Sequence, residues 1–123
     1  TFRDGRYDML FGREEILLSA LALGARGAVG TTFNLAAPLY LRIMEAFAEG
    51  ELARARADQH RAEQFVGVLR RFGGIAAAKA AMGMIGLDCG PVRPPLRPPD
   101  EEALSACRSQ LEAVGFFDYC VGS

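Results

Sequence analysis

Two short apolar runs near the start of the chain have the length and composition of buried β-strands. The run at 7–12 (YDMLFG) closes on a glycine, and the run at 27–33 (GAVGTTF) is rich in small and β-branched residues. Between the two runs, apolar residues recur at helical spacing from Glu14 until Gly24 and Gly27 end the helix. The inward-facing positions of this helix are predicted to be Ile16, Leu17, Ala20, Leu21 and Leu23.

A second helix is predicted from a cap at Asn34 to Gly50, with Pro38 tolerated in or near its first turn. The first 50 residues therefore have the order strand, helix, strand, helix. Strands separated by a helix are expected to be parallel and joined by a right-handed crossover. Because a parallel sheet is covered on both faces, two strands cannot form one alone. The sequence thus predicts two strands of a parallel sheet, but it predicts no further strands to pair with them.

The rest of the chain has helical patterns. Residues 51–72 place apolar side chains on one stripe, and the segment GGIAAAKAAMGMIG is a helix of small residues between glycines. The proline-rich segment 90–100 is predicted to be an extended connector, because prolines remove backbone donors. Asp100 is predicted to cap a last helix with Glu101 and Glu102 in its first turn. Its inward positions are Leu104, Cys107, Leu111 and Val114.

The composition favours one globular domain. The chain has 123 residues, of which 50% are hydrophobic and 24% are charged. A net charge of -1 argues against a nucleic-acid partner, and no apolar run approaches the roughly 20 residues that cross a bilayer. The polar start does not resemble a signal peptide. Cys89, Cys107 and Cys120 contain no C-x-x-C pair and are predicted to be reduced thiols in a cytoplasmic protein.

The adjacent acids Glu14 and Glu15 follow the first predicted strand directly. In parallel α/β folds ligands bind at the carboxyl ends of strands, so the position suits a binding site. Spacing alone favours a simpler interpretation, in which the two acids stabilise the start of a helix. The segment GAVGTT lacks the G-K-[ST] of a P-loop, and a packed strand is the simpler interpretation there as well.

Three other features have plain structural interpretations. Lys79 is the only lysine, but it lies inside a predicted helix and is expected at the surface rather than as an amine nucleophile. His60 is the only histidine and has no companion ligands, so no metal site is predicted. The PxxP spacings of 91–99 could dock an SH3-type groove, but a rigid connector is the favoured interpretation.

Three ordered blocks of the sequence together resemble one family. The blocks are FGREEILLSALALGARGAVGTTFN, IMEAFAEGELARA and GPVRPPLRPP. Within the pyruvate-dependent aldolase family that includes dihydrodipicolinate synthase, they resemble the C-terminal part of the N-acetylneuraminate lyases, and more the animal type than the bacterial one. The resemblance covers essentially the whole chain, and the ordered combination is more specific than any one block.

The resemblance implies an α/β fold, the last two strands of a (β/α)8 TIM barrel followed by C-terminal helices. Residues 1–50 would be the last two β/α units, with 7–12 as the seventh strand and 27–33 as the eighth. Residues 51–123 would be the closing and C-terminal helical extension of the same partial domain. The missing neighbours of the two strands would then be the six earlier strands.

The family's reaction is the reversible cleavage of sialic acid to pyruvate and N-acetylmannosamine through a Schiff base on a lysine of the sixth strand. The resemblance implies no catalytic residue in this segment, no cofactor and no metal, and Lys79 does not match the Schiff-base lysine. It implies that Gly12, Glu14 and Glu15 bind the hydroxyls of the substrate's glycerol tail, and that Gly30 and Thr31 line the pocket near the reacting end. Position 14 is usually aspartate and position 31 usually serine, so a shifted substrate preference stays open.

The resemblance also implies a homotetramer for the complete enzyme, acting on a small-molecule substrate. Two alternatives remain from the sequence. The segment could be a non-catalytic helical module that mediates assembly, or it could belong to an aldolase of the same family that acts on another 2-keto acid.

Overall fold

The computed structural model describes residues 4 and 6–122, and this part of the chain is helical. It contains five α-helices, and two short 3-10 turns lie at Glu14–Ile16 and Phe116–Asp118. The helices are α1 (Leu17–Ala22), α2 (Phe33–Ala48), α3 (Leu52–Arg71), α4 (Ile75–Met84) and α5 (Glu101–Ala113).

The predicted strands at 7–12 and 27–33 are wrong as regular strands. They meet in a single parallel bridge, in which the Phe11 amide donates to the Gly27 carbonyl at 3.0 Å and the Val29 amide donates to the Phe11 carbonyl at 2.8 Å. A parallel ladder is stabilised by neighbours on both sides and by cover on both faces. Residues 6–10 are exposed instead, so the pairing does not extend beyond one bridge. The parallel direction agrees with the prediction, but the sheet does not form in the described residues.

The first predicted helix is divided into the 3-10 turn at 14–16 and the short α1. Leu17, Ala20 and Leu21 are buried as predicted. The predicted inward positions of Ile16 and Leu23 are wrong, since Ile16 is half-exposed and Leu23 is 91% exposed. The tighter 3-10 turn changes the direction of Ile16 relative to an α-helix, and Leu23 lies just beyond the last turn of α1.

Helix α2 is bent near its start. The predicted Asn34 cap is wrong, because the helix begins at Phe33 and the Asn34 side-chain amide donates to the Thr31 carbonyl at 3.0 Å. Ala36 has non-helical dihedral angles, two residues before Pro38. Proline has no amide proton for the ladder and crowds the preceding turn, which accounts for the bend. At the bend, the Leu35 carbonyl accepts a hydrogen bond of 2.8 Å from the Val121 amide, which attaches the C-terminal segment to α2.

Helix α3 crosses the core, and its predicted stripe is largely confirmed. Ala55, Ala62, Phe65 and Leu69 are buried, whereas Leu52 is 44% exposed and Phe72 is only partly buried. The ring of Phe65 stacks on that of Phe116 with centroids 4.9 Å apart, which joins α3 to the C-terminal turn.

The last part of the chain follows the prediction closely. Residues 87–100 form no helix or strand, and α5 begins at Glu101 after a cap in which the Ala103 amide donates to Asp100 Oδ1 at 2.8 Å. Cys107 and Leu111 are buried, and Leu104 and Val114 are partly buried.

Two further sequence predictions concern the thiols and the membrane. Cys89, Cys107 and Cys120 are all free thiols, and burial raises the pKa of Cys107. In the part of the chain that the structure describes, no helix is both long enough and apolar enough to span a bilayer.

Candidate functional site

A cavity of about 370 Å³ lies where residues 12–15, the start of α2, the end of α3 and the start of α4 meet. Four of the five predicted binding residues line it, namely Gly12, Glu14, Glu15 and Thr31. Its other walls come from Arg13, Thr32, Val66, Leu69, Arg70, Gly74, Ile75 and Ala78. The fold therefore brings residues separated by more than fifteen positions in the sequence into one pocket.

The carboxylate of Glu14 is held by the first turn of α2. Glu14 Oε1 accepts a hydrogen bond from the Thr32 hydroxyl at 2.9 Å and from the Thr32 amide at 3.3 Å. The same hydroxyl is 2.7 Å from the hydroxyl of Tyr40, two turns further along α2. Thr32 and Tyr40 are both buried, and burial raises the pKa of the Tyr40 phenol, opposed by its hydrogen bond with Thr32. Glu14, Thr32 and Tyr40 are called the carboxylate relay below.

Gly30 does not line the cavity, but it permits the position of Glu14. A Cβ atom placed on Gly30 would lie 2.6 Å from Glu14 Oε2 and 2.9 Å from Glu14 Cδ. These distances are shorter than real contacts allow, so a side chain at position 30 would displace the carboxylate. The predicted pair Gly30 and Thr31 thus divides into one residue that makes room for Glu14 and one that faces the cavity.

Glu15 has a different environment from its neighbour. Its side chain is 14% exposed and forms an ion pair with Arg70 from the end of α3. Arg13 lies on its other side, with Nε 3.9 Å from Oε2. The cavity wall therefore combines two carboxylates with two guanidinium groups, which suits a ligand with several hydroxyls because each group forms directional, charge-assisted hydrogen bonds.

Gln59 fixes the backbone that carries both acids. Its side-chain Oε1 accepts from the Leu18 amide at 2.9 Å, and its Nε2 donates to the Glu15 carbonyl at 2.8 Å and the Glu14 carbonyl at 3.3 Å. Gln59 is buried in α3, and both the oxygen and the nitrogen of its side-chain amide are hydrogen-bonded. Helix α3 therefore holds the 3-10 turn through this side chain.

Asp58, next to Gln59, ties α3 to α2. Its carboxylate accepts two hydrogen bonds of 3.1 Å from Arg42 and one of 2.7 Å from Arg61. Burial acts to raise the pKa of Asp58, but the hydrogen bonds and charges of Arg42 and Arg61 outweigh it and lower the pKa below its usual value. This pair orients α2 and α3, whose ends form the cavity.

The remaining sequence candidates lie away from this cavity. The Lys79 ammonium donates to the Pro91 carbonyl at 2.9 Å, and Lys79 lines a separate cavity of about 630 Å³ between α4, α5 and the connector. His60 is exposed on α3, with Nδ1 3.6 Å from Glu63 Oε2. No group of three metal-binding side chains occurs within residues 4 and 6–122. The surface interpretation of His60 is confirmed, and Lys79 has a structural contact.

Sequence reasoning missed Thr32, Tyr40, Gln59 and Arg70. The contacts of Thr32, Gln59 and Arg70 with the acids join residues 18 to 55 positions apart, which no local pattern reveals. Tyr40 is connected to Glu14 through Thr32. Gln59 did leave a signal, because it stands four residues after Ala55 and three before Ala62, on the stripe predicted to be buried. A polar residue at such a position is expected to have a buried hydrogen-bonding role.

Comparison with known proteins gives a consistent result. Residues 3–114 match the model of the Dihydrodipicolinate synthetase family. The N-acetylneuraminate lyase of Rattus norvegicus is 35% identical over 116 residues, which are 93% of this chain and 36% of that protein. The N-acetylneuraminate lyase of Gallus gallus is 39% identical over 111 residues, or 89% of this chain and 36% of that protein.

Among solved structures, the N-acetylneuraminate lyase of Proteus mirabilis matches with a TM-score of 0.88 at 38% identity, covering 94% of this chain and 39% of that chain. The present chain thus spans little more than a third of the length of these relatives. The identities to the animal and bacterial proteins are similar, so they do not separate the predicted animal type from the bacterial type.

Proposed function

The chain belongs to the dihydrodipicolinate synthetase family, and on that premise we propose that it acts as the C-terminal part of a lyase that cleaves N-acetylneuraminate to pyruvate and N-acetylmannosamine. In this proposal the segment binds the sugar end of the substrate, and the rest of a longer chain supplies the Schiff-base lysine. The names of the relatives support the reaction, and the resemblance of the GREE and GTTFN blocks supports the division of roles.

The observation that carries the proposal is the convergence of Gly12, Glu14, Glu15 and Thr31 on one cavity. The resemblance alone implies hydroxyl binding for Gly12, Glu14 and Glu15, and a place near the reacting end for Thr31. Carboxylates suit this role because each oxygen accepts more than one hydrogen bond, and bonds to charged acceptors are the stronger kind. The partial burial of Glu14 and Glu15 strengthens such bonds by excluding competing water.

The proposal assigns no catalytic residue to this segment. Lys79 is the only lysine in the sequence, and its ammonium is bonded to the connector rather than facing the acid-lined cavity. Incubation with pyruvate and borohydride, followed by mass spectrometry, is expected to give no adduct on this chain. The Proteus mirabilis enzyme is the positive control. A pyruvate adduct on Lys79 would contradict the assignment.

Exposed apolar groups support the proposal that the segment completes a larger domain. Tyr7, Met9, Leu10, Leu23 and Val29 are between 50% and 91% exposed, and four of them surround or line a depression of about 760 Å³. The single bridge at Phe11 and Ala28 also leaves backbone available for further pairing. We assign the covering role to earlier strands of a TIM barrel, in which residues 1–50 would be the last two β/α units and 51–123 the helical extension.

Reconstitution tests the whole proposal. This chain is combined with the portion of the Proteus mirabilis enzyme that it does not match, and pyruvate release from N-acetylneuraminate is followed. Release is expected from the mixture and from neither part alone. The same bacterial portion with its own remaining segment is the positive control. If the control mixture is active and the mixture with this chain is not, the proposal is wrong.

Assembly is the second candidate function, favoured by the same exposed apolar groups. Here the segment would serve as a non-catalytic contact surface, in line with the homotetramer that the resemblance implies. Sedimentation separates the cases. A compact monomer that does not associate with full-length relatives argues against an assembly role, and association without reconstituted activity supports it.

Another 2-keto acid substrate within the family is the third candidate. Glu14 carries one methylene more than the usual aspartate, and Thr31 one methyl group more than the usual serine. Comparison of several 2-keto acid aldols in the reconstituted enzyme distinguishes this candidate from the sialic-acid reaction.

A further inference from the structure

The carboxylate relay has a defined direction of hydrogen bonding. An ionised carboxylate can only accept, so the single hydroxyl proton of Thr32 is donated to Glu14 Oε1, 2.9 Å away. The Thr32 oxygen must then accept from the Tyr40 hydroxyl, which lies 2.7 Å away. The Tyr40 phenol keeps its proton for this role because burial raises its pKa. The order is therefore Tyr40 to Thr32 to Glu14.

The two carboxylate oxygens of Glu14 have different surroundings. Within the described residues, both hydrogen bonds of this side chain go to Oε1, one from the Thr32 hydroxyl and one from its amide. Oε2 packs against Gly30, where a side chain would clash with it, and it has no hydrogen bond from the described residues, while the Glu14 side chain lines the cavity. A hydroxyl-bearing ligand in the cavity would thus meet a carboxylate with one oxygen fixed by the protein and one available as an acceptor.

We propose that Thr32 and Tyr40 are positioning residues, which hold Glu14 through Oε1 so that Oε2 can accept a hydrogen bond from a substrate hydroxyl. This inference rests on the proposed function, since it assigns a polyol ligand to the same cavity. It adds two residues that act through Glu14 and thereby determine how tightly the ligand is bound.

A purely structural role for the same hydroxyls is the competing interpretation, and paired variants separate the two. Thr32→Val removes the hydroxyl and keeps the shape, whereas Thr32→Ser keeps the hydroxyl. Tyr40→Phe removes the donor at the far end of the relay. Tyr119→Phe is the matched control, because Tyr119 is also buried in the core and its hydroxyl donates to the Val114 carbonyl, away from Glu14.

The experiment titrates the 123-residue chain and each variant with N-acetylneuraminate, with binding followed by NMR shifts of backbone amides in residues 12–15 and 31. Thermal unfolding of every variant is recorded in parallel. Thr32→Val and Tyr40→Phe are expected to weaken binding about tenfold, the loss that accompanies one displaced hydrogen bond to a charged group. Thr32→Ser and Tyr119→Phe are expected to bind as the unaltered chain does, even where Tyr119→Phe lowers the unfolding temperature.

Three results would overturn the inference, and they differ in kind. If the unaltered chain binds and Thr32→Val binds equally well, the positioning role is wrong while the proposed function stands. If binding follows the unfolding temperature across all four variants, Tyr119→Phe included, the hydroxyls act on stability alone. If the unaltered chain does not bind N-acetylneuraminate, the proposed function fails and the inference fails with it.

Discussion

Replacement of Gly30 by alanine tests whether Glu14 occupies the position described. The added Cβ would lie 2.6 Å from Glu14 Oε2 and 2.9 Å from Cδ, and all three nearest atoms belong to this one side chain. Because a glutamate side chain can swing away, we expect the fold to persist and the carboxylate to leave Thr32. The Thr32 hydroxyl then loses its acceptor.

The magnitude follows from the contacts that are lost. A hydrogen bond to a charged acceptor contributes about 1.5–3 kcal/mol, and the 2.9 Å bond from the Thr32 hydroxyl is the stronger of the two. Alanine in place of glycine restricts the unfolded chain and returns about 0.4–1 kcal/mol. The net cost of Gly30→Ala is therefore about 1–2 kcal/mol in the free energy of unfolding, or roughly 4–8 °C in Tm for a chain of this size.

The decisive assay is a double-mutant cycle measured by urea and thermal unfolding. With Glu14→Ala already present, the clash is absent, and Gly30→Ala should be neutral or stabilising by up to about 1 kcal/mol. Gly67→Ala is the control. A Cβ at this position in α3 would have no neighbouring atom within 4 Å, and alanine in place of glycine inside a helix is expected to stabilise the fold. If Gly30→Ala destabilises the chain equally with and without Glu14, the reasoning is refuted.

Three further predictions concern the contacts that support the cavity. Gln59→Leu leaves the Leu18 amide and the Glu15 carbonyl unpaired, and the free energy of unfolding measured in urea should fall by about 2 kcal/mol. An unchanged unfolding midpoint would contradict the role of Gln59 in holding the 3-10 turn. The lowered pKa of Asp58 adds stability that is present above its unfolded value of 3.8 and is lost as pH falls through the lower folded value. In the Asp58→Asn variant, Tm should therefore fall less steeply below about pH 4 than in the unaltered chain. The same fall of Tm with pH in the variant and in the unaltered chain would contradict this. Asp100→Ala should cost about 1 kcal/mol through loss of the cap on α5, and Asp100→Asn much less; equal Tm values for the two variants would exclude a capping role.

Helical patterns near the C-terminus could be predicted because their determinants are local. The Asp100 cap and the proline connector depend on neighbouring residues, and both are found in the structure. The two strands could not be assigned correctly, because a strand depends on partners that a local pattern does not contain. The exposed run at 7–10 has the composition of a strand and only one bridged residue beside it.

The site shows the same division between local and long-range determinants. Glu14 and Glu15 were identified from a sequence block, and the structure places them in one cavity with Gly12 and Thr31. Thr32, next to Thr31, was overlooked because sequence position does not tell which of two adjacent threonines turns inward. Here Thr32 is buried on Glu14 and Thr31 is exposed at the cavity.

Selectivity for the glycerol tail tests the central claim most directly. In the reconstituted enzyme, kcat/KM is measured for N-acetylneuraminate and for an analogue that lacks the glycerol tail, with the unaltered chain and with Glu15→Gln. Glu101→Gln, which changes an exposed acid on α5, is the matched control. Glu15→Gln is predicted to lower kcat/KM about tenfold for N-acetylneuraminate and to leave the analogue nearly unchanged, as expected for one lost charge-assisted hydrogen bond. An equal reduction for both substrates would contradict the claim that this carboxylate binds the substrate's hydroxyls.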